Sequence, residues 1–128
     1  MTDFPAAGTP EEFFAGSPEG LALFREVAAA VAALDGATVR VSRSQIAFRR
    51  RTGFAYLWRP GRYVSSEVPA VLSIALPRPL DSPRFKEVAH PASRVWMHHL
   101  ELHDVADLDP EVRGWLAEAH AAAGPRDA

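Results

Sequence analysis

The sequence predicts an α+β domain in which a mostly antiparallel sheet of about five strands carries two main helices packed on one face. The chain has 128 residues, the usual size of a single domain. Apolar residues recur every three or four positions near both ends, whereas alternating or continuous apolar runs lie between them. Because the connections between those runs are short, neighbouring strands are expected to pair antiparallel.

Proline after a capping Ser, Thr or Asp marks the predicted helix starts. The first main helix is expected over 18–34 and the last over 109–123. A short turn of helix is expected over 11–15, and a short helix over 83–88. The two main helices have apolar stripes wide enough to cover one face of a sheet.

Five runs are predicted as strands: 38–41, 45–50, 54–59, 70–76 and 94–103. Thr52-Gly53 is a turn signal, so the second and third runs should form a hairpin, with Phe54, Tyr56 and Trp58 on one face. The run 70–76 is apolar on both faces. It therefore predicts either a central strand covered on both sides or a strand whose second face meets another subunit.

The amino-acid composition excludes several kinds of site and a membrane-spanning segment. The absence of cysteine excludes disulfides, thiolate zinc sites and cysteine nucleophiles. No stretch approaches the roughly 18 apolar residues of a membrane span, and the N-terminus lacks the pattern of a signal peptide. We therefore expect a cytoplasmic protein without a membrane partner. We expect one domain over 1–128, with an ordered core at about 9–123 and a frayed tail at 124–128.

Positive charge is concentrated in one segment. The net charge is −2, yet residues 36–66 contain seven arginines and no acid, namely Arg40, Arg43, Arg49, Arg50, Arg51, Arg59 and Arg62. Guanidinium groups near aromatic side chains are typical of surfaces that bind phosphate backbones while rings stack on bases. The leading hypothesis is therefore a non-enzymatic binding module for an anionic partner, either a nucleic acid or the acidic face of a protein. The alternative is a solvated face whose arginines pair with acids of the C-terminal half.

Two other functions stay open. Ser44, Gln45, Arg49 and His98 are polar residues in or beside apolar strands, and they could line a small-molecule or catalytic pocket between sheet and helices. In the simpler interpretation Ser44 ends a turn, Gln45 faces solvent, and His98 is a buried histidine bonded to backbone. The other function is self-association, in which a second copy covers the run 70–76 and forms a homodimer.

Motifs for catalysis and for cofactors are missing from the sequence. There is no Gly-x-Ser-x-Gly elbow, phosphate-binding loop or dinucleotide fingerprint. His99, Glu101 and His103 share one strand face, but His99 and His103 would lie about 13 Å apart along the strand. One metal ion can hardly bind both. We therefore assign no catalytic residue, cofactor or metal, and favour a protein that is not an enzyme.

Four ordered motifs carry a resemblance to a known family. They are Arg43-Ser44-Gln45-Ile46-Ala47-Phe48-Arg49-Arg50, Phe54-Ala55, Asp81-Ser82-Pro83-Arg84 and Trp96-Met97-His98-His99-Leu100-Glu101-Leu102. Together they resemble an uncharacterised bacterial family, the domain-of-unknown-function family 5655, over about residues 13–122. The resemblance implies the extent of the fold and brings no activity with it.

Overall fold

The computed structural model describes residues 8–62 and 66–124 of the chain, and within them the fold is α+β as predicted. The helices are α1 (Pro10–Phe13), α2 (Pro18–Ala32) and α3 (Pro110–Ala122). Each begins with proline after a cap residue whose side chain accepts a backbone N–H: Thr9, Ser17 and Asp109. These caps explain why the predicted helix starts are correct.

The strands form one antiparallel sheet in the order β1-β2-β3-β4-β6-β5. Their bounds are β1 Thr38–Val41, β2 Ile46–Arg49, β3 Gly53–Trp58, β4 Ala70–Leu76, β5 Phe85–Ala92 and β6 Val95–Leu102. Short 3₁₀ turns occupy Pro60–Arg62 and Val105–Asp107. Short hairpins join most neighbours, as expected for antiparallel pairing.

The sixth strand corrects the prediction of a helix over 83–88. β5 is an edge strand that pairs with β6, and two register shifts interrupt the pairing. Phe85 is buried against the Trp115 ring of α3, with a centroid distance of 4.7 Å, whereas Lys86 and Glu87 are exposed. The proline cap favoured a helix, but tertiary pairing with β6 prevails over that local preference. Pro91 is tolerated because it lies on an edge strand.

The helices cover one face of the sheet. A row of paired residues crosses that face from β2 to β6, namely Ile46, Leu57, Leu72 and Leu100. All four are buried in one core with residues of α2 and α3, including Val27 and Leu116. The opposite face, called the open face below, carries the alternate residues of each strand. Its buried residues Ala47 and Val71 lie outside that core cluster.

A β-bulge determines which residues of β3 reach the open face. The register shifts between Phe48 and Arg49, so that Phe54 is the extra residue on β3. Phe54 is buried, and its ring meets His120 edge-on at 5.5 Å. The prediction that Phe54, Tyr56 and Trp58 share one face is therefore wrong, because the bulge turns Phe54 toward the helices.

β4 lies in the interior of the sheet between β3 and β6. On its open face, Val71 and Ser73 are only 4% and 3% exposed. Neighbouring side chains of the same chain thus cover the second face of this strand along much of its length. In the described part of the chain, no helix has both the length and the apolarity needed to cross a bilayer.

Candidate functional site

The open face contains a recess of about 560 Å³ near its centre. It is lined by Ser44, Gln45, Tyr56, Trp58, Ser73, Met97 and His99. The recess is shallow and widely open to solvent, so it suits a group that lies on the sheet and not one that is enclosed. Except for Ser44 and Gln45, which belong to the β1–β2 turn, the lining comes from strands.

The recess lies along a row of paired residues that crosses all six strands. From β1 to β5 the row reads Arg40, Ala47, Tyr56, Ser73, His99 and Glu87. Small side chains at Ala47 and Ser73 leave space between larger neighbours such as Tyr56 and Trp58. One end of the row is a cation and the other is an acid.

Three side chains in the recess form a hydrogen-bonded chain. Trp58 Nε1–H donates to Ser73 Oγ at 3.0 Å, and Ser73 Oγ lies 2.6 Å from His99 Nδ1. The Trp58 and His99 rings also meet edge-on, with centroids 6.4 Å apart. Since Ser73 is buried and already accepts from Trp58, its own proton needs an acceptor. We assign His99 Nδ1 as that acceptor, and this assignment puts the imidazole proton on Nε2.

Burial favours the neutral form of His99. Desolvation lowers the pKa of His99, and the nearby carboxylate of Glu87 opposes this shift only in part. His98 contributes a smaller lowering of the same pKa. A neutral ring keeps Nδ1 free to accept from Ser73, so the electrostatics and the hydrogen bonds agree.

Cationic side chains lie toward the β1–β2 side of this face. Arg40 occupies the β1 position of the row described above. Arg49 of β2 is paired with Gly53 of β3, and the Tyr56 ring covers Gly53. Arg43 is exposed at the β1–β2 turn, whereas Arg51 is exposed beyond β2 and lies against Gly124 at the end of α3. Within the described residues, none of these four guanidinium groups forms an ion pair with a carboxylate.

Several acids of the C-terminal half pair with other basic residues instead. Ion pairs join Arg78 to Glu118, Arg84 to Asp109 and Glu111, and Lys86 to Glu101. In the described part of the chain, the arginine segment is therefore not neutralised in the way that the alternative hypothesis requires.

Two arginines of the segment contact helix ends. Arg50 donates to the carbonyl of His120 near the end of α3 at 2.8 Å. Arg59 donates to the carbonyl of Phe13, the last residue of α1, at 3.1 Å and to that of Ala15 at 3.0 Å. Both contacts satisfy carbonyls that a helix end leaves unpaired. The side chain of Arg62 lies outside the described residues, and a binding role for these three arginines stays a prediction.

His98 lies on the helix side of the sheet. Its Nδ1–H donates to the Trp96 carbonyl at 2.8 Å, and its Nε2 accepts from the backbone N–H of Leu80 at 3.0 Å. Ser44 and Gln45 line the recess on the other face. The expected pocket of Ser44, Gln45, Arg49 and His98 is therefore corrected, because the sheet separates His98 from the other three.

Sequence reasoning missed most of the recess. Ser73 was the available signal, since it is the one polar residue in the apolar run 70–76. Trp58 was grouped with Phe54 and Tyr56 on one face because the bulge was not foreseen. His99 was weighed only as a metal ligand, and among the described residues no cluster suited to a metal is found.

A comparison with known protein families shows which family the chain belongs to. The model of the family described as domain of unknown function (DUF5655) matches residues 11–123. The chain belongs to this family. No curated protein and no solved structure matches the chain significantly. The description of DUF5655 names no activity.

Proposed function

We propose that this DUF5655 domain is a binding module that holds single-stranded nucleic acid on the open face of its sheet. The observation that carries the proposal is the placement of Arg40 and Arg49, without carboxylate partners among the described residues, on the face that contains the half-buried rings of Tyr56 and Trp58. Arg40, Arg43 and Arg49 would contact phosphates, while the two rings would meet bases.

The chemistry of these groups favours a single strand. A planar guanidinium donates two parallel hydrogen bonds to a phosphate, which makes arginine suited to nucleic-acid backbones. Aromatic side chains on a sheet offer stacking surfaces, and only unpaired bases expose their faces to them. A duplex would use the arginines but leave Tyr56 and Trp58 without a role.

The charge gradient across the face orients the ligand. The row from Arg40 to Glu87 crosses five strand spacings, or about 24 Å. Glu101 lies on the same face, but Lys86 pairs with it at 3.1 Å and offsets its charge, so Glu87 marks the acidic end of the row. Phosphates are therefore expected along the β1–β2 side, with bases directed toward the recess.

Salt dependence tests the proposal directly. A labelled ten-nucleotide RNA would be titrated by fluorescence anisotropy at two salt concentrations with the full chain. The double variant Arg40→Gln/Arg49→Gln should bind more weakly and lower the log–log salt slope by about 1.4, or about 0.7 for each lost phosphate contact. The absence of binding to the unchanged protein at low salt would contradict the proposal.

A matched control separates these two arginines from net charge. Arg25 and Arg113 lie on α2 and α3, are more than half exposed, and have only long ion pairs of 3.8 Å. The variant Arg25→Gln/Arg113→Gln removes the same two charges from the helices. It should leave the salt slope close to that of the unchanged protein.

A second copy of the chain is the main competitor for this face. In a two-fold arrangement the Arg40 edge of one copy would meet the Glu87 edge of the other. Sedimentation at micromolar concentration distinguishes the two cases, and the proposal expects a monomer. A dimer that Arg40→Gln/Arg49→Gln dissociates would instead assign the face to self-association.

A further inference from the structure

We infer that the recess selects among unpaired bases and favours a base with a carbonyl acceptor, such as uracil or guanine, over adenine. The inference rests on the proposed function of the open face and adds a specificity to it. The group that discriminates is Nε2–H of His99, and Trp58 supplies the apolar wall.

The hydrogen-bonded chain behind His99 fixes its donor. Ser73 occupies Nδ1 at 2.6 Å, and Ser73 is itself held by Trp58 at 3.0 Å. With Nδ1 engaged as an acceptor, the proton lies on Nε2. Among the described residues Nε2 of His99 has no hydrogen-bond partner, and the ring lines the recess. The recess therefore contains an imidazole donor whose partner must come from a ligand or from water.

The other polar groups of the recess are less constrained. The Nε1–H of Trp58 is already bonded to Ser73, so the indole offers a ring surface and no free donor. The side-chain amide of Gln45 has no partner among the described residues and can turn to present either its oxygen or its nitrogen. Discrimination is therefore assigned to His99, whereas Gln45 adapts to the base that enters.

Base chemistry supplies the preference. Uracil and guanine carry an exocyclic carbonyl oxygen, whereas adenine carries an exocyclic amino donor at the corresponding position and has only ring nitrogens as acceptors. A fixed donor in the recess is matched directly by the carbonyl, whereas adenine has to turn a ring nitrogen toward it and its amino group away. The preference therefore has the size of one net hydrogen bond and is not a complete rejection of adenine.

Two conservative variants isolate the donor. In His99→Asn the amide oxygen takes the position of Nδ1 and accepts from Ser73, but nothing replaces Nε2–H. In His99→Gln the amide nitrogen takes the position of Nε2 and keeps a donor in the recess. Both variants remain neutral and polar, and circular dichroism checks that each retains the fold.

The experiment compares three RNA probes of equal length: oligo-uridine, oligo-adenosine and an abasic strand. The unchanged protein should bind oligo-uridine roughly threefold to tenfold more tightly than oligo-adenosine, the range for one net hydrogen bond. His99→Asn should remove this ratio without changing the affinity for the abasic strand. His99→Gln should retain most of the ratio.

The outcomes separate the inference from the proposed function. Equal, salt-dependent binding of all three probes would overturn the inference and leave the proposed function intact. A ratio that persists in His99→Asn would also overturn it, because the discrimination would then not depend on Nε2–H. Failure to bind any probe at low salt would overturn the proposed function, and the inference with it.

Discussion

Ser73 shows how one side chain connects the core of the sheet to the open face. It occupies the middle of β4, where the neighbouring positions are apolar, and it is 3% exposed. A buried hydroxyl without partners would destabilise the fold, but Trp58 and His99 satisfy both its acceptor and its donor. Three residues from three strands are thereby held in one arrangement.

Stability should depend on pH through His99. The pKa of His99 is lowered by burial, so the unfolded chain takes up a proton at higher pH than the folded chain. The contribution of the neutral ring is therefore fully present above about pH 6.5, and it decreases as the pH falls from there to the lowered pKa. Chemical denaturation at several pH values should show the free energy of unfolding falling over this interval.

The variant His99→Asn serves as the comparison for that measurement. It lacks the titrating ring, so the free energy of unfolding should fall less over the same interval. Glu87 faces His99 from β5 and opposes the shift, so Glu87→Gln should steepen the dependence of the protein that retains His99. Identical pH profiles for the unchanged protein and His99→Asn would contradict the role assigned to this histidine.

At the scale of single residues, the sequence indicates which residues lie near the site better than it indicates which face of the sheet each side chain occupies. Ser44 and Gln45 were considered for a pocket between sheet and helices as one of two alternatives, and they line the recess on the opposite face. His98 and His99 are adjacent in sequence but lie on opposite faces, and only strand register distinguishes the buried structural ring from the one in the recess. Register depends on pairing with β4 and β5, which local sequence does not specify.

At the scale of the element, two helical glycines test whether side-chain packing outweighs helix propensity. A Cβ at Gly20 of α2 would overlap the ring of Phe14 and approach Ser17 Oγ at 2.9 Å. Gly20→Ala should therefore destabilise the protein by about 1–3 kcal/mol through overpacking, despite the better helix propensity of alanine. Thermal unfolding followed by circular dichroism measures the change.

Gly114 of α3 is the control, because a Cβ there would meet nothing within 4 Å. Gly114→Ala should stabilise the helix by up to about 1 kcal/mol. The same substitution is thus expected to have opposite signs in two helices. Equal changes in stability at both positions would show that helix propensity alone determines them and that the contact with Phe14 does not contribute.

The elements themselves were predicted where local signals and packing agree. The capping residues place the starts of α2 and α3 correctly, and the run 70–76 matches β4. β5 was missed because its only buried apolar side chain near the start is Phe85, and its proline cap resembles a helix start. The bulge at Phe54 was missed because it is a property of the β2–β3 pair and not of either strand alone.

For the whole molecule, the shared core predicts one cooperative unit. The core cluster includes residues from α1 to α3 and from most strands of the sheet. We therefore expect residues 9–123 to unfold in a single transition; positions 125–128 of the expected frayed tail lie outside the described residues. Far-UV circular dichroism and tryptophan fluorescence should give coincident transitions, and two separate midpoints would contradict a single domain.

Ligand binding should appear in the same measurement. A ligand that binds only the folded protein stabilises it by about 2.7 kcal/mol at a concentration 100 times its Kd. Oligo-uridine should therefore raise the unfolding midpoint, and the abasic strand should raise it less at equal concentration. A midpoint that does not respond to oligo-uridine would argue against binding to the folded chain.

The construction of the recess from strands has a consequence for kinetics. Tyr56, Trp58, Ser73, Met97 and His99 are all fixed by the backbone ladder of β3, β4 and β6. Changing this strand-built part of the recess would require a strand to slip by two residues, since a slip of one would turn its side chains to the other face. This part of the recess therefore exists before its ligand arrives, and only Gln45 of the β1–β2 turn adjusts. Capture should therefore be limited by encounter, and selectivity between ligands should be expressed in how quickly each one leaves.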